Sequence, residues 1–142
     1  MKVYITDKID NFIEGYKSIP ILYGKIDLSE IPNNGADQII AINALDNIPY
    51  NLLGDFLEQV CQKMRFNCEL VLSGVETNIL CKQILDGQMN IKDFNNVIFS
   101  KRGVYGSKDI IEVLNHYNLE VNSLTFKGHS YEIIATRPIS KN

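Results

Sequence analysis

The sequence predicts an α/β protein built on a mostly parallel sheet, and three consecutive segments indicate this. Residues 36–43 and 68–74 are short apolar runs, typical of strands that are covered on both faces. Between them, apolar side chains recur with the spacing of one helical face; they are Leu52, Leu53, Phe56, Leu57, Val60 and Met64. A strand, a covering helix and a second parallel strand form a right-handed βαβ unit, and ligands bind beyond the carboxyl ends of such strands. We therefore expect any site near residues 43–47 and 74–77.

Length and composition predict one globular domain over residues 1–142, since 45% of the residues are hydrophobic and 22% are charged. A net charge of -3 disfavours nonspecific binding to nucleic acid through phosphate neutralisation. Three cysteines without a CxxC pair are typical of reduced thiols in the cytosol. Because no apolar run approaches the roughly 18 residues of a membrane span, we expect a cytoplasmic protein.

The first elements are a strand at residues 2–6 and an extended segment at residues 16–23. Residues 7–15 leave room for about one or two turns between them, whereas a parallel crossover usually needs a dozen residues or more. Either this crossover is minimal, or Ile9, Phe12 and Ile13 cover the sheet only partly. Pro20 restricts its strand to an edge or a break. Residues 27–35, with Pro32 and an Asn-Gly pair, predict a loop.

The second half predicts two helices and a hairpin. One helix begins at Glu76 or Thr77 and ends at a left-handed cap, Asp86-Gly87. Residues 88–102 predict an irregular packed lid or a short extra element. Ser107 is expected to be the N-cap of a helix that ends near residue 118. Residues 119–126 and 131–137, joined by a turn at 127–130, predict an antiparallel hairpin.

This order of elements resembles the class I S-adenosylmethionine-dependent methyltransferases. Four segments stand at matching places: Gly15-Tyr16, Asp27-Leu28, Leu45-Asp46-Asn47-Ile48 and the closing residues 131–138. The resemblance implies a Rossmann-like sheet, mostly parallel, with a C-terminal antiparallel hairpin and a trimmed N-terminus.

The departures from that family fall on the cofactor contacts. The first strand of the family runs into Gly-x-Gly, which lets the backbone approach the cofactor, but here it runs into Ile5-Thr6-Asp7-Lys8. The acidic residue that accepts bonds from the ribose aligns with Pro20. Asp46-Asn47 replaces a Glu-His pair, and Phe66-Asn67-Cys68 replaces a Pro-Gly-Gly turn. If a cofactor is bound at all, the resemblance assigns its contacts to Thr6, Asp7, Asp27, Leu28, Asn43 and Asp46.

Each polar candidate also has a structural interpretation. Asp27 is a typical turn former. Asp46 is either a substrate-facing residue, as the resemblance implies for the end of the central strand, or a loop-capping carboxylate. His116 and His129 have no metal ligands at suitable spacing, and Ser73 lacks the Gly-x-Ser-x-Gly elbow. We therefore predict no metal site and no catalytic residue. Lys101 and Arg102 could meet an anion, but solvated charges are the preferred interpretation.

The preferred hypothesis is a methyltransferase-fold protein that has lost S-adenosylmethionine binding and acts as a structural or regulatory subunit. The alternatives are an active methyltransferase with an atypical site, and a module that binds another nucleotide. We expect a homo- or hetero-oligomer, with a catalytic methyltransferase subunit as the favoured partner. The interface is expected on Ile9, Phe12, Ile13 and residues 94–99, unless residues 88–102 fold back to cover that gap.

Overall fold

The computed structural model describes residues 1–139, which contain six strands and four α-helices. The strands are β1 (Lys2–Thr6), β2 (Lys17–Pro20), β3 (Ala36–Ala41), β4 (Met64–Val75), β5 (Glu120–Lys127) and β6 (Ser130–Thr136). The helices are α1 (Tyr50–Lys63), α2 (Thr77–Leu85), α3 (Ile91–Phe99) and α4 (Ser107–His116), and Leu45–Asn47 forms a 3-10 turn before α1.

All six strands form one sheet in the order β2-β1-β3-β4-β6-β5. The first four strands are parallel, while β6 is antiparallel to both β4 and β5. This confirms the predicted α/β class, the βαβ unit β3-α1-β4 and the terminal hairpin. The fourth strand starts earlier than predicted, because Met64 begins β4 rather than closing the helix.

The edge of the parallel half is β2, and Pro20 is its last residue. Pro20 lacks a backbone N–H, so this position agrees with the predicted restriction to an edge. The crossover from β1 to β2 contains no helix, only turns. Two of its apolar side chains point into solvent, since 75% of Ile9 and 78% of Phe12 is exposed, whereas Ile13 is half-buried.

The core lies on one face of the sheet. Register aligns Val3, Ile39, Leu70 and Ala135 in one row across four strands, and all four are buried. Buried side chains of two helices pack in the same core; they are Leu53, Phe56, Leu57 and Val60 of α1, and Ile110 and Leu114 of α4. The predicted burial of Phe56 and Leu57 is confirmed.

On the opposite face, the aligned residues Tyr4, Ile40, Val71 and Ile134 are only half-buried. We call this surface the open face. The prediction that β3 and β4 are covered on both faces is therefore wrong. The sequence of each strand is apolar on both faces, but the crossover that returns over the open face is too short to form a covering helix.

The segments beyond β4 agree with most of the predictions. Glu76 caps α2 by accepting a hydrogen bond from the Asn78 N–H, and Gly87, with φ of +72°, follows its end. Residues 91–99 form the short extra element as helix α3, which has no buried residue. The N-cap of α4 is Gly106, not Ser107 as predicted, because the Ser107 N–H is itself bound by a Glu76 carboxylate oxygen at 2.9 Å.

No helix within residues 1–139 is long and apolar enough to cross a membrane. Cys61, Cys68 and Cys81 are free thiols. Burial raises the pKa of Cys61 to about 11 and that of Cys68 to about 12, which keeps both thiols protonated and unreactive at neutral pH.

Candidate functional site

The carboxyl edge of the sheet contains the topological switch point, which lies between β1 and β3. From β1 the chain moves outward to β2 and then crosses to β3 on the other side of β1. In open α/β sheets, ligands bind in the crevice at such a point. Four of the predicted contacts lie at or just beyond the ends of these two strands, namely Thr6, Asp7, Asn43 and Asp46.

Thr6 ends β1 and is buried, with 2% of its surface exposed. Its Oγ1 accepts a hydrogen bond from the Lys8 N–H at 3.1 Å and donates one to the Lys8 carbonyl oxygen at 3.3 Å. Such a local bond holds the backbone in a turn, in which Asp7 is exposed. A side chain therefore closes the end of β1, where the resemblance implies a glycine.

Asn43 and Ser73 join the ends of β3 and β4. Asn43 has a left-handed backbone with φ of +55°, a conformation that Asn tolerates better than most residues. Its N–H donates to Ser73 Oγ at 2.8 Å, and Ser73 Oγ donates to Asn43 Oδ1 at 3.4 Å. These polar groups therefore satisfy each other.

Asp46 is buried in the 3-10 turn that follows β3, with 1% of its surface exposed. Oδ1 accepts the Val75 N–H at 3.1 Å, and Oδ2 lies 3.5 Å from the Lys101 ammonium nitrogen. Burial raises the pKa of Asp46, while the Val75 bond and the Lys101 charge oppose that rise. Asp46 acts as a loop-capping carboxylate that joins three segments of the chain.

The segment between α3 and α4 crosses this edge and is bound to Asp46. The Asp46 carbonyl oxygen accepts the Arg102 N–H at 2.8 Å and the Gly103 N–H at 3.3 Å. A Cβ on Gly103 would lie 2.5 Å from the Ile48 carbonyl oxygen, so only glycine allows this approach. Lys101 is therefore paired with a buried carboxylate, and its interpretation as a solvated charge was wrong.

Tyr131 of β6 and Gly74 of β4 complete the buried polar cluster. A Cβ on Gly74 would lie 3.0 Å from both Asp46 Oδ1 and the Tyr131 hydroxyl oxygen. That hydroxyl has no hydrogen-bond partner within the described chain. Burial, followed by the charges of Asp46 and Glu76, raises the pKa of Tyr131 well above its usual value.

Glu76 follows β4 and is buried, with 3% of its surface exposed. One carboxylate oxygen accepts the Asn78 N–H at 3.4 Å and the other accepts the Ser107 N–H at 2.9 Å. A carboxylate is favourable at a helix N-terminus, and here one side chain serves both α2 and α4. Both carboxylate oxygens of Glu76 therefore accept hydrogen bonds at the helix N-termini.

The other two predicted contacts, Asp27 and Leu28, lie in the loop between β2 and β3. Leu28 is buried in the hydrophobic core, with 2% exposed. Asp27 is exposed, and its hydrogen bonds from Ser29, one of them 2.9 Å from the N–H, hold its pKa below its usual range. Asp27 and Pro20 both line a cavity of about 380 Å³. This geometry matches the turn-former interpretation of Asp27.

A larger cavity of about 770 Å³ lies where α1, α2 and α4 begin. Its lining includes Tyr50, Thr77, Lys108 and the exposed His116, and none of the six predicted contacts. Among residues 1–139, no group of three or more His, Cys, Asp or Glu side chains could hold a metal ion.

The sequence did not reveal that Asp46, Glu76 and Tyr131 are all buried at this edge of the sheet. For Glu76, the sequence offered one indication, its position before an apolar helical pattern. For Tyr131 the sequence offered no indication of a position beside Asp46, because that position depends on the register of β6 against β4, which pairs Tyr131 with Gly74.

No protein-family model matches this sequence, and no curated protein matches it significantly. Solved structures do resemble the fold. A Sulfolobus solfataricus protein assigned to the type 11 methyltransferases aligns with a TM-score of 0.59 and 13% identity, covering 99% of this chain and 73% of that one.

A S-adenosylmethionine-dependent methyltransferase from Archaeoglobus fulgidus aligns with a TM-score of 0.60 and 12% identity, over 93% of this chain and 74% of that one. An O-methyltransferase family protein from Burkholderia thailandensis aligns with a TM-score of 0.62 and 11% identity, over 89% of this chain and 37% of that one. At these identities the likeness concerns the fold.

Proposed function

We propose that this chain, which has the Rossmann-like fold of class I S-adenosylmethionine-dependent methyltransferases, does not bind that cofactor on its own. We propose further that it serves as a structural or regulatory subunit of an assembly. One observation carries the first part: most of the polar groups at the switch point are engaged within the chain. Thr6 binds Lys8, Asn43 binds Ser73, and Asp46 binds Val75 and Lys101.

The side chains at the ends of β1 and β2 also support the proposal. A glycine at the end of β1 would leave the backbone open to a ligand, whereas Thr6 is buried there and its hydroxyl is bonded to the turn. Pro20, at the end of β2, has no carboxylate to accept bonds from a ribose. Each lost contact costs on the order of 1–3 kcal/mol, or roughly tenfold or more in affinity.

The subunit role is supported by apolar surface beside the first strands. Ile9 and Phe12 are largely exposed, and no residue of α3 is buried. Exposed apolar patches beyond a few hundred Å² are uncommon on monomers and mark interaction sites. We place the interface on Ile9, Phe12, Ile13 and residues 94–99, and a catalytic methyltransferase is the favoured partner. Free thiols are consistent with a cytoplasmic location.

The competing function is an active methyltransferase with an atypical site, which the S-adenosylmethionine-dependent proteins of the same fold favour. A second alternative is a module that binds another nucleotide at the same crevice.

Thermal denaturation with and without ligand tests the proposal. A ligand present at about 100 times its dissociation constant stabilises the folded state by about 2.7 kcal/mol, which raises Tm by several degrees. We expect no change in Tm with S-adenosylmethionine or S-adenosylhomocysteine, and a clear rise for the Archaeoglobus fulgidus methyltransferase as a positive control. A rise for this chain would favour the active enzyme, and a rise with ATP alone would favour the nucleotide-binding module.

A further inference from the structure

We propose that the open face binds an amphipathic helix of a partner protein, with its apolar stripe on the sheet and basic residues beside that stripe. This inference rests on the proposed subunit role and names the chemistry of the partner. The open face is a different surface from the switch-point crevice, so each of the two proposals can fail without the other.

The open face carries a single apolar row that crosses four strands. Tyr4 pairs with Ile40, Ile40 with Val71, and Val71 with Ile134. Residues paired across neighbouring strands lie on the same face, about 4.8 Å apart, so the four side chains span about 14 Å. All four are half-buried. The row is thus continuous and apolar, and part of each side chain is accessible.

Within residues 1–139, the four residues of this row lie outside the buried core that α1 and α4 cover. Helix α1 connects β3 to β4 over the core face. Along the sheet, the step from β3 to β4 runs in the opposite direction to the step from β1 to β2. Parallel crossovers are right-handed as a rule, so the two opposite steps put their connections on opposite faces, and the segment from β1 to β2 belongs over the open face. It has no helix, but its Tyr16 hydroxyl donates to the Gln38 side chain of the open face. A helix from another chain would supply the layer that this crossover omits.

The dimensions of the row match a helix lying across the strands. A helix rises 1.5 Å per residue, so about ten residues match the 14 Å row. Apolar residues spaced three and four apart form a stripe along such a helix. The polar residues on either side of the row would then face the flanks of the helix.

The charges beside the row favour a partner helix with basic flanks rather than a second copy of this chain. The rows beside the apolar one contain three carboxylates, Glu69, Glu120 and Glu132, and one ammonium, Lys2 at the β1 end. Lys127 lies one row farther out. Two copies stacked on this face would bring like charges together, whereas Lys or Arg on a helix would meet opposite charges.

Two synthetic peptides of about 18 residues, long enough to form a helix, test this inference by fluorescence anisotropy. Both carry one leucine stripe, with lysines beside it in one peptide and glutamates in the other. We expect the lysine peptide to bind at least about tenfold more tightly, a difference equivalent to 1.4 kcal/mol. Equal affinities, or no binding of either peptide, would refute the inference even if the chain ignores S-adenosylmethionine.

Three variants locate the binding surface. Ile134→Thr keeps a β-branched residue in the row and should weaken binding of the lysine peptide about tenfold. Glu132→Lys should reduce the difference in affinity between the lysine and glutamate peptides. The matched control is Leu124→Thr, a partly exposed apolar residue on the other face of the sheet, which should change neither affinity. Circular dichroism checks that each variant folds. Unchanged affinity in Ile134→Thr, or self-association that Ile134→Thr abolishes, would overturn the assignment.

Discussion

Replacing Asp46 separates its role as a hydrogen-bond acceptor from the effect of its buried charge. In Asp46→Asn the amide oxygen can still accept the Val75 N–H, which Oδ1 accepts at 3.1 Å in the parent chain. In Asp46→Ala that buried N–H has no partner, and an orphaned donor costs about 1–3 kcal/mol. We therefore expect Asp46→Ala to be less stable than Asp46→Asn by about that amount.

The two variants should also remove a pH dependence. Burial raises the pKa of Asp46 above its usual value of 3.8, so the folded protein holds this proton to a higher pH than the unfolded chain does. The contribution of this group to the free energy of unfolding is full below the unfolded pKa and is lost as pH rises through the folded pKa. The parent chain should lose this contribution over that window, and Asp46→Asn should not.

Urea unfolding at several pH values, followed by circular dichroism, measures both effects. The reasoning predicts the order Asn above Ala in free energy of unfolding at pH 7. It also predicts a smaller pH dependence in both variants than in the parent chain. Equal stability of the two variants would refute the acceptor role of Asp46, and an unchanged pH profile would refute its buried charge.

Three further predictions concern the core, the close packing around Gly74 and the oligomer. Phe56→Ala should destabilise the fold by about 3–5 kcal/mol, because Phe56 is 2% exposed, and an unchanged Tm would contradict its place in the core. Gly74→Ala should destabilise by about 1–3 kcal/mol through its 3.0 Å contacts. Its control, Gly54→Ala in α1, meets nothing within 4 Å and should stabilise by about 0.5–1 kcal/mol; equal effects in urea unfolding would refute the contact. Light scattering should show association that Ile9→Ser and Phe12→Ser weaken, and a strictly monomeric chain that also ignores a co-encoded methyltransferase would contradict the subunit role.

Local sequence rules were sufficient for most of the sheet and its connections. Pro20 identified an edge because it lacks a donor, and the short stretch between β1 and β2 indicated a crossover without room for a full helix. The spacing of Phe56 and Leu57 identified a buried helical face. In each case the information is local to the residues that carry it.

The errors came from contacts between distant segments. Ile40 and Val71 resemble residues of strands covered on both faces, but their cover depends on a different segment, the crossover before β2. Ser107 has the sequence features of an N-cap, but its N–H donates to Glu76, which lies about 30 residues earlier. Lys101 resembled a solvated charge because its partner, Asp46, is distant in sequence.

Isothermal titration calorimetry of the purified chain with S-adenosylmethionine tests the central claim most directly. Under the proposed function, the closed end of β1 and the absence of a carboxylate at Pro20 would each remove a cofactor contact worth on the order of 1–3 kcal/mol. We predict no measurable heat of binding with cofactor in the micromolar range. A one-to-one isotherm with a micromolar dissociation constant would contradict the proposal and establish that the switch-point crevice is open to the cofactor.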